Sequence, residues 1–213
     1  MAQTIYHIKF IIIFQVILLI TTSSLQAQST TINKSAKPKT ITISGREVLW
    51  AIAHPFIAHK VLLISKEALQ ITDSIEKSGL LKDRHGGNLD AFKHCLWMAL
   101  LAQNIKAGKA RRIGIIHEKV DYKSFKKGNN QQDSTASLMD SKNNAVGILL
   151  GENHKHLSKN KLISLVILYV KQGKLFKIKK DKYGNYLDAN GNTIKQSKKH
   201  CWNKKKHLTN TGI

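Results

Sequence analysis

The sequence predicts a mainly α-helical single domain, a bundle of about five to six helices with a small C-terminal β-hairpin. Three observations carry this. Apolar residues recur at helical spacing through most of residues 44–175, and the stretch CLWMALLA, Cys95–Ala102, is apolar on every side, the mark of a central buried helix. Hydrophobic side chains make up 42% of the 213 residues, enough for a core and too many for wholesale disorder. Two prolines and two cysteines are too few for a Pro-rich chain or a disulfide scaffold.

Residues 1–27 read as a signal peptide. His7 and Lys9 sit in a weakly basic start, Phe10–Ile20 is an apolar run broken only by Gln15, and a polar stretch ends at the small Ala27. The run is short for a bilayer span, so export to the periplasm, cell surface or exterior is the expectation, with an uncleaved anchor as the alternative. Nothing later is apolar for long enough to cross a membrane. Residues 28–43 are polar and read as a linker.

The helical domain, residues 44–175, opens on Ser44-Gly-Arg-Glu47, which fits a capping box. Pro55 kinks the first helix or starts the next, and His54-Pro55 reads as a packing corner. The second helix runs to about Ile75, with Ile57, Val61, Leu62, Ile64, Ala68 and Ile71 near one stripe and Ser78-Gly79 at its end. His85-Gly-Gly-Asn88 is a turn that opens the central helix, Leu89 to about Asn104. A short helix follows from Ala107 to Val120, and residues 121–133 read as a polar loop. Ser134 or Thr135 caps a helix to about Leu150, and Leu157–Gln172 is the last, stopped by Gly173. Residues 176–195 carry two turn signals, Tyr183-Gly-Asn185 and Asn190-Gly-Asn192, and read as the hairpin. Residues 196–213 read as a basic flexible tail.

Charge narrows the partners. Lys and Arg number 35 against 13 acids, a formal net charge of +22, and residues 171–207 hold twelve lysines against Asp181 and Asp188. That excess suits an anionic envelope component or membrane surface, or is simply a solvated tail. No helix-turn-helix or zinc-finger spacing is present, so specific nucleic-acid recognition is not expected.

The chemistry gathers on three helices. Asp90 and His94 are four apart and share a face of the central helix, beside a fully apolar segment. Buried there, they need partners. The chain offers His117-Glu118, which point different ways at 3.6 residues per turn, and Asp140, Asn143 and Asn144, which converge. A divalent metal on Asp90, His94, His117 and Asp140 would activate water for phosphodiester or ester hydrolysis, with Glu118 as general base and Asn143 and Asn144 as polar stabilisers. Without a metal, His94 or His117 would be the base, oriented by Asp90. The alternative is a non-catalytic envelope or surface protein whose Asp/His/Asn cluster is structural and whose lysines hold an anionic partner.

Other signals are weaker. His154-Lys-His156 is a metal pair or a polar helix start, and Asp188-Ala-Asn-Gly-Asn192 is a turn rather than a calcium loop. Cys95 reads as a small core residue, with a Cys95–Cys201 bridge as the alternative. Serine and cysteine nucleophile signatures and Gly-rich phosphate loops are absent.

Three blocks, HGGNLDAFKHCLWMALLAQ, IHE and MDSKNNAVG, resemble a secreted bacterial domain family of unknown function. Its pattern is a Gly-rich turn, Asp-Ala-Phe-Arg-His-x-x-Trp, then His-Glu, then Met-Asp-x-x-Asn-Asn-x-x-Gly. The matching positions are Gly87, Asp90, Ala91, Phe92, Lys93, His94, Trp97, His117, Glu118, Met139, Asp140, Asn143, Asn144 and Gly147, with Lys93 where the pattern has Arg. The resemblance covers residue 47 to about 175. It implies a helical domain followed by a short β element, and carries no activity.

Overall fold

The computed structural model describes residues 45–126, 133–194 and 205–212. The expected leader, the linker, Ser44 of the capping box and Cys201 lie outside these residues. The chain divides into two compact units, residues 1–63 and residues 64–213. Among the described residues six helices and one two-stranded sheet form: α1 (Gly45–Ala53), α2 (Pro55–Lys77), α3 (Asn88–Asn104), α4 (Ala107–Lys126), α5 (Ser134–Asn153), α6 (Lys159–Lys171), β1 (Phe176–Ile178) and β2 (Leu208–Asn210). None of these helices is long and apolar enough to cross a membrane.

In the first unit, α1 stops at His54, whose ring stacks on Trp50 with centroids 4.7 Å apart and whose Nδ1 lies 3.0 Å from the Trp50 carbonyl. Pro55 then begins α2. It lacks an N–H and its φ is already helical, so it suits a first helical position and not an interior one.

In the second unit the predicted central helix is central. Twelve of the residues of α3 are buried, including Leu89, Phe92, Cys95, Leu96, Met98 and Leu101. Its largest interface is with α5, and α4, α6 and β1 also pack on it. The α3–α5 seam is built on two glycines. A Cβ at Gly147 would stand 2.2 Å from the Cys95 carbonyl oxygen, and one at Gly151 would stand 2.3 Å from that of Ala99. The contact register rises by four on both helices, so they run past each other in the same direction.

Three boundaries differ from the sequence expectation. Helix α4 continues through the expected loop to Lys126, because Phe125 is buried and anchors its last turn. The cap of α5 is Asp133, not Ser134 or Thr135: its Oδ1 accepts the backbone N–H groups of Thr135 and Ala136 at 3.1 Å. Asp133 is fully buried and its Oδ2 is held 2.6 Å from Lys206 Nζ.

The third difference is the β element. Strand β1 pairs antiparallel with β2, Ile178 opposite Leu208 and Phe176 opposite Asn210. That partner comes from the segment expected to be a loose tail. Within 176–195 the chain makes two separate turns, closed by the bridges Lys180↔Tyr186 and Leu187↔Thr193. Each follows the same Asp-x-x-Gly-Asn design. Asp181 Oδ1 accepts from Tyr183 N and Asn185 N, and Asp188 Oδ1 accepts from Asn190 N and Asn192 N. Each Asp closes its turn within five residues, which leaves no chain for a long hairpin. The Asp188 carboxylate serves its own backbone, as a turn requires.

The seam sets the first prediction. Gly147→Ala should lower the unfolding free energy by about 3 kcal/mol or prevent folding, because backbone must move to admit the methyl group. Gly108→Ala, in a helix with nothing within 4 Å of the new atom, should raise stability by up to about 1 kcal/mol. Urea unfolding of both variants measures this; equal effects would contradict the packing described.

Candidate functional site

The site begins at the turn before α3. Gly86 has φ +84, open to glycine without strain. That conformation aims its N–H at Asp90 Oδ2, 2.8 Å away. The turn is held from the C-terminal side: Ile178 N donates to the Gly86 carbonyl at 2.7 Å, and Lys180 Nζ and Tyr186 Oη donate to the His85 carbonyl at 2.8 and 3.1 Å. The β element therefore braces the loop that orients Asp90.

Asp90, His94 and Asp140 come together. His94 Nε2 lies 3.7 Å from Asp90 Oδ1 and 3.3 Å from Asp140 Oδ1. One potential ligand atom from each of the three lies within 4.8 Å of the others, and all three residues are buried. The i,i+4 spacing on α3 and the α3–α5 seam produce this convergence.

The other predicted residues are placed differently. His117 is not in the group: its Nε2 is 3.8 Å from Asp121 Oδ2, its ring meets Trp97 edge-on at 5.2 Å, and its centroid is 6.3 Å from that of His94. Its side chain is 36% exposed, which sets it at the rim. Glu118 is buried, and its Oε2 accepts from Ser137 Oγ at 2.8 Å. Asn143 is spent on backbone. Its Oδ1 accepts from Phe176 N and its Nδ2 donates to Phe176 O, both at 2.9 Å, so it pins β1 to α5. Asn144 is buried beside the cluster and interacts with the His94 ring.

Lys93, which stands where the pattern has Arg, joins the group although it was not among the expected site residues. Its Nζ donates to Asp90 Oδ1 at 2.6 Å. A lysine at this position therefore makes an ion pair with Asp90. Ser137 and Asp121 were also missed, although Asp121 stands four residues after His117, a spacing that puts the two on one face.

Burial controls the protonation states. It pushes His94 down to about 3, with the nearby Lys93 ammonium acting in the same direction, so the imidazole is neutral. It pushes Asp140 well above the usual carboxylate range, and the Asp90 and Glu118 carboxylates push further. Burial would raise Asp90 too, but Lys93, His94 and the Gly86 N–H outweigh it and hold Asp90 low. Glu118 is raised to about 7, chiefly by burial. The push on Asp140 is thus towards its protonated form, while His94 beside it is held neutral. Nδ1 of His94, Oδ1 of Asn144 and Oε1 of Glu118 are buried without a hydrogen-bond partner among the described residues.

Cys95, at the centre of α3, is buried and free, and its thiol is pushed up by burial. It packs as a core residue.

Residues 48–174 match a family described as Domain of unknown function (DUF6973). No curated protein matches the chain, and no solved structure does.

The shifts give opposing pH dependences. Glu118 has an ordinary value of 4.5 and about 7 in the fold. Its contribution is full below about pH 4.5 and is lost as pH rises through 7. The raised Asp140 acts in the same direction. His94, at 6.5 ordinarily and about 3 in the fold, contributes above pH 6.5 and loses that contribution as pH falls towards 3. Glu118→Gln should therefore stabilise the protein at pH 8, by at most about 3 kcal/mol, and change little at pH 4.5. Urea denaturation at both pH values tests it; a pH-independent difference would show that Glu118 does not titrate in this range.

Proposed function

The chain belongs to that family, and from its own geometry we propose that it is an exported hydrolase that uses a divalent cation at Asp90, His94 and Asp140 on a phosphodiester or ester bond. The observation that carries the reading is the mismatch of charge at the cluster. Two carboxyl groups face one imidazole nitrogen in a buried place, and a single ammonium, Lys93, lies against Asp90 and acts more weakly on Asp140. Burial and the neighbouring carboxylates push Asp140 towards holding a proton. A cation of the kind that one nitrogen and two oxygen ligands suit would take the proton's place.

The residues fit such an ion. His94 is neutral, as a ligand must be, and Nε2 is the nitrogen facing both carboxylates. Asn144 lies beside the ring, where a ligating histidine's second nitrogen needs a polar neighbour. A structural network that merely registered helices would leave few buried atoms unpaired. Here Nδ1 of His94, Oδ1 of Asn144 and Oε1 of Glu118 lack partners among the described residues.

A bound divalent cation supplies activation of water and stabilises developing charge. Glu118 supplies the base. Raised to about 7, it exchanges a proton near neutral pH, and Ser137 fixes Oε2 while leaving Oε1 to act. His117, half-exposed beside Trp97, marks the side from which substrate approaches. The apolar run at residues 10–20 supports export.

The 2.6 Å Lys93–Asp90 pair favours a second reading, in which the ammonium already serves as the cluster's cation and the protein is a non-catalytic envelope component.

Metal content separates the two. Elemental analysis of protein purified without a histidine tag should find one divalent metal per chain, lost in His94→Ala and Asp140→Asn variants that keep the wild-type circular dichroism. The loaded protein should then hydrolyse a member of a phosphodiester and ester panel. Absence of metal after exposure to zinc, manganese and calcium would overturn the hydrolase reading in favour of the second.

A further inference from the structure

Helix α4 presents a second feature that the buried cluster does not use. Its exposed positions are Gly108, Arg111, Arg112, Ile115, Lys119, Tyr122, Lys123 and Lys126. Each has another of the set three or four residues away, and together they cover about 120° of the helix, so they form a single stripe along the outer face. Five of the eight are cationic. Neither acid of the helix is on the stripe: Glu118 is buried, and Asp121 is partly buried beside His117.

Those charges are not compensated. Arg111, Arg112, Lys119 and Lys123 form no ion pair among the described residues. Lys126 stands over the Tyr122 ring, 5.0 Å from its centroid. Lys119 and Lys123 are like charges at i,i+4, and Lys123 and Lys126 at i,i+3, spacings that weaken a helix by a few tenths of a kcal/mol each. Arginine makes the stripe more telling. The chain has four arginines among 35 basic residues, and two of them stand side by side here. Arg84, by contrast, is consumed by Asp73 and Glu76. Guanidinium groups match phosphate oxygens in pairs, which solvated lysines do not.

We propose that the outer face of α4 binds a linear phosphodiester polymer along its backbone. From Arg111 to Lys126 the stripe spans about 22 Å at 1.5 Å per residue, long enough to meet several successive phosphates. A lipid surface fits less well. An interfacial helix buries a continuous apolar face, whereas Ile115 and Tyr122 are the only large apolar side chains on this one. Binding is by backbone charge and without sequence preference, since no element here is built to read base edges. The inference does not rest on the cation at the buried cluster.

The test is fluorescence anisotropy of the purified metal-free protein with a labelled oligothymidylate, over a salt series. Base-free poly(glycerol phosphate) and phosphatidylglycerol vesicles are run as competitors. Arg111→Gln/Arg112→Gln/Lys119→Gln should bind at least about tenfold more weakly, and its log–log salt slope should fall by about two. A matched control, Lys161→Gln/Lys171→Gln/Lys179→Gln, removes equal charge from exposed positions elsewhere and should lose much less. The face variant relieves repulsion, so it should fold at least as well, which circular dichroism checks. Competition by the base-free polymer would show that the phosphodiester backbone is what binds; failure of that polymer to compete would overturn a backbone mode. Equal losses in the two variants would reduce the effect to net charge and sink the proposal, as would binding to vesicles alone. Because no metal is present, a negative result here leaves the hydrolase reading to its own experiment.

Discussion

Helices α3 and α5 can bring Asp90, His94 and Asp140 to one point only because their backbones almost touch. Gly147 against the Cys95 carbonyl and Gly151 against the Ala99 carbonyl leave no room for a side chain on α5. The same side of α5 carries Asp140, Asn143 and Asn144, all buried. Packing seam and polar cluster are therefore one feature. The glycines set how near the carboxylate of one helix comes to the imidazole of the other, and Asn143 extends the seam by binding both backbone groups of Phe176. Through β1, the Gly86 turn and Asp90, the seam and the turn brace each other.

Placing acids in so tight a seam creates the electrostatic problem that defines the molecule. A buried carboxylate without a counter-charge is costly, and the cost is met by pairing, protonation or a metal. Asp90 uses pairing, through Lys93 and the Gly86 N–H. Asp140 is pushed towards its protonated form by burial and by the Asp90 and Glu118 carboxylates, against the weaker pull of Lys93. His94 lies between them, neutral because burial and Lys93 disfavour a second charge. Two carboxyl groups on one ring are thus pushed in opposite directions, a separation typical of sites that handle protons or cations.

Much of this was readable in the chain. The apolar run Cys95–Ala102 identified the central helix, because only a helix surrounded by others can be apolar on every side. Asp90 with His94, and Asp140 with Asn144, follow from the i,i+4 rule. What sequence spacing does not carry is direction in space between elements. It offered His117 as a ligand, but the helix turns that ring towards Trp97 and Asp121. It offered Asn143 as a site group, but the backbone it satisfies lies 33 residues on. A three-residue strand such as Leu208–Asn210 has no periodicity to read, so the partner of β1 was sought in the nearer turns. Each Asp-x-x-Gly-Asn turn was visible as a turn, and each closes on its own aspartate through a single antiparallel bridge rather than a ladder.

The central claim is that burial and the Lys93 ammonium keep His94 neutral between two carboxyl groups. Nitrogen-15 NMR of the His94 imidazole in the metal-free protein tests it most directly. The account predicts a neutral ring from pH 5 to pH 8. An imidazolium signature at pH 6, with both nitrogens protonated, would contradict it: the cluster would then be an ordinary ion-pair network with its charges already balanced.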